Sequence, residues 1–189
     1  MTQETWTAVD HYISDVFGLS DDVLDSALRE SDAAGLPAIA VSVPQGKLLN
    51  LLGQLCHARR ILEIGTLGGY STIWMARALA PDGELVTLEI DPKHAEVARK
   101  NIARAGLSDR VEVRVGPAIE WLPKIVAENK GPFDLIFIDA DKPSIPDYFT
   151  WSLRLSRPGT VIIVDNVVRE GAVTDGASED ASVKGVRRL

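Results

Sequence analysis

Two apolar runs in this 189-residue chain end in oxygen-bearing side chains. One reads Phe133-Asp-Leu-Ile-Phe-Ile-Asp-Ala-Asp-Lys142, the other Val161-Ile-Ile-Val-Asp-Asn166. In open parallel sheets, ligands sit beyond the carboxyl ends of the strands. If the two runs are neighbouring strands, about 4.8 Å apart, Asp139, Asp165 and Asn166 face one small volume. Two carboxylates and an amide oxygen, completed by water, suit a hard cation: Mg²⁺ first, with Ca²⁺ possible and Mn²⁺ less favoured. Either aspartate alone reads equally well as a helix cap or loop former. Lys142 follows in the same loop. A lysine commonly does no more than solvate a surface, but beside a bound dication the neutral amine is favoured, which makes Lys142 a candidate general base.

A second constellation surrounds Ile61-Leu-Glu-Ile-Gly-Thr-Leu-Gly-Gly-Tyr-Ser71, read as a strand-to-helix turn. Gly65, Gly68 and Gly69 permit a close approach of ligand to backbone and tight packing of the next helix. The order departs from the G-x-G-x-x-G of dinucleotide-binding turns. Glu63, just before the turn, suits a ligand bearing positive charge better than a pyrophosphate. The ammonium and sulfonium of S-adenosylmethionine match that pattern. Ser71, in the first turn of the helix, can help hold the ligand's carboxylate. Glu89, after the next strand, can accept hydrogen bonds from both ribose hydroxyls, and Gly116-Pro117-Ala118 can wall an adenine. The bland alternative is that the glycines only make turns and the glutamates are solvated loop residues.

These residues need a scaffold, and the pattern supplies one. From Arg60 onward, apolar runs at Ile61–Ile64, Leu85–Leu88, Val111–Val115, Phe133–Ile138 and Val161–Val164 alternate with helical segments near 70–80, 92–105, 118–128 and 145–156. Buried strands separated by helices predict a doubly wound α/β domain, Rossmann-like, with a mostly parallel sheet covered on both faces. Upstream, Trp6, Val9, Ile13, Val16 and Phe17 fall at helical spacing. Ser20 is expected to cap a second helix, and a third is expected from Pro44 to about Cys56. Residues 170–183, rich in Gly, Ala, Ser and Asp, read as a mobile loop, with a short helix near 178–188. The length predicts a single domain. The last strand would need a neighbour, so further chain or a partner subunit is expected to cover that edge.

The net charge of −7 argues against nucleic-acid binding through a broad basic surface. One cysteine, Cys56, and three scattered histidines exclude an internal disulfide and a Cys-rich metal site. No leader and no apolar stretch near the roughly 20 residues of a membrane span can be seen, so a cytoplasmic protein is expected.

Leu62-Glu-Ile-Gly-Thr-Leu-Gly-Gly-Tyr-Ser71, Glu89-Ile-Asp-Pro92, Phe137-Ile-Asp-Ala-Asp-Lys142 and Val164-Asp-Asn166 together resemble the cation-dependent O-methyltransferases, typified by the catechol and caffeoyl-coenzyme A enzymes and most closely their small bacterial relatives. The resemblance runs from about Pro37 to Asn166 and more weakly to both ends. It implies that Val41 touches the methionine part of the cofactor through its backbone, and that Glu63, Gly65, Thr66 and Ser71 hold that same part. Gly69 and Tyr70 would join this cofactor set. Glu89, with Ile90 beside it, would bind the ribose, and Ala118, with Gly116 and Pro117, would face the adenine. Asp139, Asp165 and Asn166 would ligate the metal, with Asp139 and Asp141 near the cofactor. Lys142 would be the general base, and the assembly a homodimer. The family continues with a helix and two strands that this chain lacks. At Asp141 the chain follows the plant and bacterial pattern rather than the animal catechol enzyme, which has an aromatic gate there.

The expected activity is methyl transfer from S-adenosylmethionine to a hydroxyl of a small, catechol-like aromatic acceptor. Three rivals remain: a nicotinamide-dependent oxidoreductase, a non-catalytic S-adenosylmethionine-binding module, and the same chemistry on a non-catechol hydroxyl such as that of a natural-product intermediate.

Overall fold

The Val-, Ile- and Leu-rich runs form five strands: β1 (Arg60–Ile64), β2 (Glu84–Glu89), β3 (Val111–Val115), β4 (Leu135–Ile138) and β5 (Val161–Val164). The computed structural model describes residues 2–189. The strands make one sheet in the order β3-β2-β1-β4-β5, and every pair is parallel. Chain order reverses between β1 and β4, the place where such sheets open a crevice at their carboxyl ends.

Side chains alternate along each strand, so each face has its own core. Ile61, Leu85, Leu135 and Phe137 pack with residues of α2 (Asp22–Ala33), α3 (Val43–Leu55), α4 (Tyr70–Ala76) and α5 (Pro92–Arg104). Leu62, Ile64, Val86, Leu88, Ile136 and Ile138 pack with α6 (Ala118–Ala127), α7 (Ile145–Arg154) and α8 (Ala181–Arg187). The expected doubly wound α/β architecture is therefore present. α1 (Gln3–Phe17) lies against α3 and leaves Tyr12, Val16 and Phe17 exposed, while α3 exposes Leu48, Leu51 and Leu55.

Several boundaries differ from expectation. Asp21, not Ser20, caps α2: its carboxylate accepts from the amides of Val23 and Leu24 at 3.1 and 2.9 Å, while the Ser20 hydroxyl turns to Asp25. Both residue types cap well, and the helix begins one residue later than expected. β4 starts at Leu135 rather than Phe133: the Phe133 amide donates outside the sheet to the Leu155 carbonyl at 2.8 Å, and the Asp134 carboxylate accepts from the backbone amides of Arg59 and Arg60 at 2.8 and 3.0 Å. The segment read as a loop over 170–183 overlaps structure at both ends, and the later of these is the short helix expected near 178–188. Residues Arg169–Thr174 form a 3-10 turn kinked by left-handed backbone at Glu170 and Gly171, and α8 begins at Ala181, capped by Asp180.

β5 pairs with β4 on one side, and among the described residues no strand lies against its other edge. Its four residues are half-buried where those of β4 are fully buried. No helix of the described residues is long and apolar enough to cross a membrane.

Candidate active site

The parallel ladder carries past the strand tips and fixes the acidic residues. The Asp139 amide donates to the Ile64 carbonyl at 2.9 Å, and the Asp165 amide donates to the Ile138 carbonyl at 3.0 Å. Ile138 and Val164 are register partners, so Asp139 and Asp165 emerge side by side from neighbouring strands. Asn166 follows with an exposed side chain and a left-handed backbone (φ 55°), a conformation asparagine tolerates better than most residues. Among the described residues, no three His, Cys, Asp or Glu side chains converge in a metal-holding group. The donor set is two carboxylates with an adjacent amide. All its donors are oxygen, which fits a hard dication.

Each aspartate is already oriented. Lys142 is buried, and its ammonium donates to Asp139 Oδ1 at 2.8 Å. Asp165 Oδ1 accepts from the Asn166 amide at 2.6 Å, and Oδ2 accepts from Gln45 Nε2 at 2.6 Å. Asp141 turns away from this pair: its carboxylate caps the short 3-10 turn Lys142–Ser144 and accepts from the Tyr148 hydroxyl at 2.7 Å. Burial and the neighbouring Asp141 push the Tyr148 hydroxyl well above its ordinary range.

At the tip of β1 the turn is built from the inside. Glu63 is fully buried. Ser71 donates to its Oε1 at 2.6 Å, Thr87 donates to Oε2 at 2.7 Å, and Thr72 also donates to Oε2. Thr87 spends its proton on Glu63, so Thr66, bonded to Thr87, must be the donor in that pair. Burial raises the Glu63 carboxyl to about 7, against the lowering effect of its three hydroxyl donors, and Asp139 adds to the rise. Glu63 is thus neither a solvated loop carboxylate nor a group in open contact with a ligand. It acts on the crevice through Ser71, whose hydroxyl it holds.

The glycines of this turn have a steric reason within the chain. At Gly65 (φ +99°) a Cβ would overlap the Asp139 carbonyl, so only glycine lets the tips of β1 and β4 close on each other. A Cβ on Gly68 would strike Ser31, and one on Gly69 would crowd Ala98 of α5. Tyr70 is buried beside Trp74 in an edge-on contact with centroids 6.5 Å apart. Its hydroxyl has no hydrogen-bond partner among the described residues.

Glu89 closes the loop from the β2 side. Its Oε2 accepts from the amides of Thr66 and Leu67 at 3.1 and 2.7 Å, and its Oε1 accepts from Asp91 at 2.9 Å. A carboxylate has about four lone-pair sites, so acceptor capacity remains for a hydroxyl. Ile90 and Pro117 are exposed beside it, Ala118 is buried under them, and Gly116 (φ +129°) takes a bond from its amide to the Glu89 carbonyl at 2.8 Å. These four follow the tips of β2 and β3 in the chain. Val41 lies half-buried just before α3. A hollow of about 670 Å³ opens at the β5 tip, lined by Asp165 and Asn166 and, beyond them, by Arg169 and Asp180 among others. Neither Glu63 nor Lys142 lines it.

A family model described as O-methyltransferase matches residues 18–189. The chain belongs to the O-methyltransferase family. A catechol O-methyltransferase of Niastella koreensis is 59% identical over 189 residues, which cover 100% of this chain and 86% of that protein. The solved O-methyltransferase from Bacillus cereus in complex with SAH has a TM-score of 0.96 at 60% identity, covering 98% of this chain and 84% of that one. TomG from Streptomyces achromogenes, an O-methyltransferase involved in tomaymycin synthesis and solved in complex with SAM, has a TM-score of 0.94 at 54% identity, covering 100% and 84%. The resemblance seen in the sequence is therefore borne out, and the nicotinamide reading is set aside.

Sequence reasoning missed several side chains around this O-methyltransferase's crevice. Thr72 and Thr87 give no signal, since threonine is ordinary in helices and strands. Tyr148 and Gln45 reach the site from helices whose packing had to be known first.

Proposed function

We propose that this O-methyltransferase uses S-adenosylmethionine and a divalent cation to methylate one hydroxyl of a small acceptor bearing adjacent hydroxyls, a catechol-like aromatic. The observation that carries the reading is the pairing of Asp139 and Asp165 on adjacent strand tips, with Lys142 on one carboxylate and the Glu63–Ser71 turn at the next strand. When bound, the cofactor supplies the methyl group, and the cation, Mg²⁺ by preference, supplies Lewis acidity toward the acceptor's hydroxyl.

In this reading Asp139, Asp165 and Asn166 hold the cation. Ser71 and the backbone at Val41, Gly65, Thr66 and Gly69 seat the methionine part, with Tyr70 behind them. Glu89 takes the ribose, and Ile90, Gly116, Pro117 and Ala118 flank the adenine. Asp141, which caps the Lys142–Ser144 turn, lies near the cofactor together with Asp139. Lys142 Nζ takes the proton from the acceptor hydroxyl, and the chain's main contribution is to hold the reacting oxygen in line with the methyl group.

The relative named catechol O-methyltransferase supports the acceptor class. The likeness to a tomaymycin-synthesis enzyme favours a second reading, in which the hydroxyl belongs to a natural-product intermediate. We further propose a cytoplasmic homodimer, joined through the apolar surface that Tyr12, Val16 and Phe17 of α1 share with Leu48, Leu51 and Leu55 of α3.

A screen of vicinal diphenols against matched monophenols with methyl-labelled S-adenosylmethionine tests the acceptor class. Label is expected on the diphenols only. Equal labelling of monophenols would remove the requirement for adjacent hydroxyls.

A further inference from the structure

Gln45 has no role in the proposed chemistry, yet it touches one of its central groups. It sits in the first turn of α3, where its amide donates to the capping Ser42 hydroxyl at 3.4 Å. Its side chain leaves the helix and donates from Nε2 to Asp165 Oδ2 at 2.6 Å, linking residues 120 positions apart. The other oxygen of Asp165 is held by the Asn166 amide. The two bonds leave the carboxylate no free rotation, and only the Gln45 bond comes from outside the β5 tip.

The anchor is firm. The next residue of α3, Gly46, lies so close to the Trp74 indole that a Cβ would overlap it, and about one turn further along Asn50 Nδ2 donates to the Trp74 carbonyl at 3.0 Å. α3 is thereby locked to α4, the helix that begins with Tyr70 and Ser71. One side-chain amide carried on this helix thus reaches the β5 tip.

We propose that Gln45 is a positioning residue for the cation site, fixing the carboxylate of Asp165 so that it and Asp139 present their oxygens to one ion. This rests on the cation-dependent reading above. Outer partners of metal ligands fix ligand orientation, and their loss typically weakens metal binding by about 10–100-fold. A plain structural tie makes a different prediction: loss of Gln45 would loosen α3 and disturb the whole crevice together.

The test uses the full chain with Gln45→Met, which keeps the length and removes the donor, and Gln45→Asn, which keeps the amide and shortens its reach. Mn²⁺ binding is read by the loss of the free-ion electron paramagnetic resonance signal, S-adenosylhomocysteine binding without metal by calorimetry, and folding by thermal melting. Positioning predicts that both variants weaken Mn²⁺ binding by about tenfold or more while S-adenosylhomocysteine affinity stays within twofold. Unchanged Mn²⁺ affinity in either folded variant, or an equal loss of both ligands, overturns the inference and leaves the cation reading standing. Absence of Mn²⁺ binding in the wild-type chain overturns both.

Discussion

The two halves of the crevice are built on opposite plans. At the tips of β1 and β2, Glu63 and Glu89 are buried, and each accepts three hydrogen bonds from the chain itself. At the tips of β4 and β5, Asp139 and Asp165 are only partly buried, and their outside partners are two long side chains, Lys142 and Gln45. The first half is a finished polar network that shapes a loop. The second holds its charges with fewer contacts, one on Asp139 and two on Asp165, which suits a place where a charged group must enter. A buried carboxylate with all its partners supplied by the fold is chiefly architecture. A partly exposed carboxylate with fewer partners is available for chemistry.

The sharpest way to break this contrast is to remove the base. Lys142→Ala should lower kcat by about 10²–10⁴-fold and leave S-adenosylhomocysteine binding nearly intact. Unchanged turnover would take Lys142 out of the mechanism. Next in size, Asp165→Ala should weaken the cation's effect by at least about a hundredfold, beyond the range expected for an outer partner, seen as a rise in the Mg²⁺ concentration needed for half-maximal rate. Metal-dependent activity retained at wild-type Mg²⁺ levels would exclude it as a ligand.

The architectural half should answer in stability instead. With its carboxyl raised to about 7 from 4.5, Glu63 keeps a proton in the folded chain that the unfolded chain has released. Its contribution therefore favours unfolding increasingly as pH climbs from about 4.5 to about 7, by up to roughly 3 kcal/mol. Below that window both states hold the proton, and above it neither does. Glu63→Gln should flatten this slope, compared with wild type in denaturant melts at both ends of the window. Parallel slopes would place the titration elsewhere.

The smallest effect is expected at Gly185. α8 packs on the Lys142 loop so closely that a Cβ there would overlap the Lys142 carbonyl. Gly185→Ala should shift the lysine and lower kcat by about tenfold, since small misplacements of a reacting group are costly, with KM for the methyl donor unchanged. A parallel change in both constants would point to general loosening of the fold.

Gly185 and Gln45 also mark the limit of what the sequence tells. The strands were legible because runs such as Leu135–Ile138 are apolar at every position, as buried parallel strands must be. The strand-tip acids were legible because sheet topology brings them together whatever the helices do. Gln45 lies 120 residues from its partner, and nothing in its local pattern reports the contact. Gly185 looks like a weak point in a short helix until the loop beneath it is seen. Glu63 could be picked out as a lone acid before a glycine turn, but its environment depends on Thr72 and Thr87, whose side chains also fit ordinary core positions. Toward the end of the segment over 170–183 the short helix was legible, but the 3-10 turn at Arg169–Thr174 was not, since small and polar residues lower helix propensity without forbidding short turns.

The central claim is that an ion held by Asp139, Asp165 and Asn166 prepares the acceptor's hydroxyl. Its most direct test is methylation of a vicinal diphenol by the wild-type chain, measured after chelation and again after Mg²⁺ is restored. Product formation should stop with the chelator and return with the metal, while S-adenosylhomocysteine still binds in both conditions. Turnover that continues at full rate in the chelated sample would contradict it.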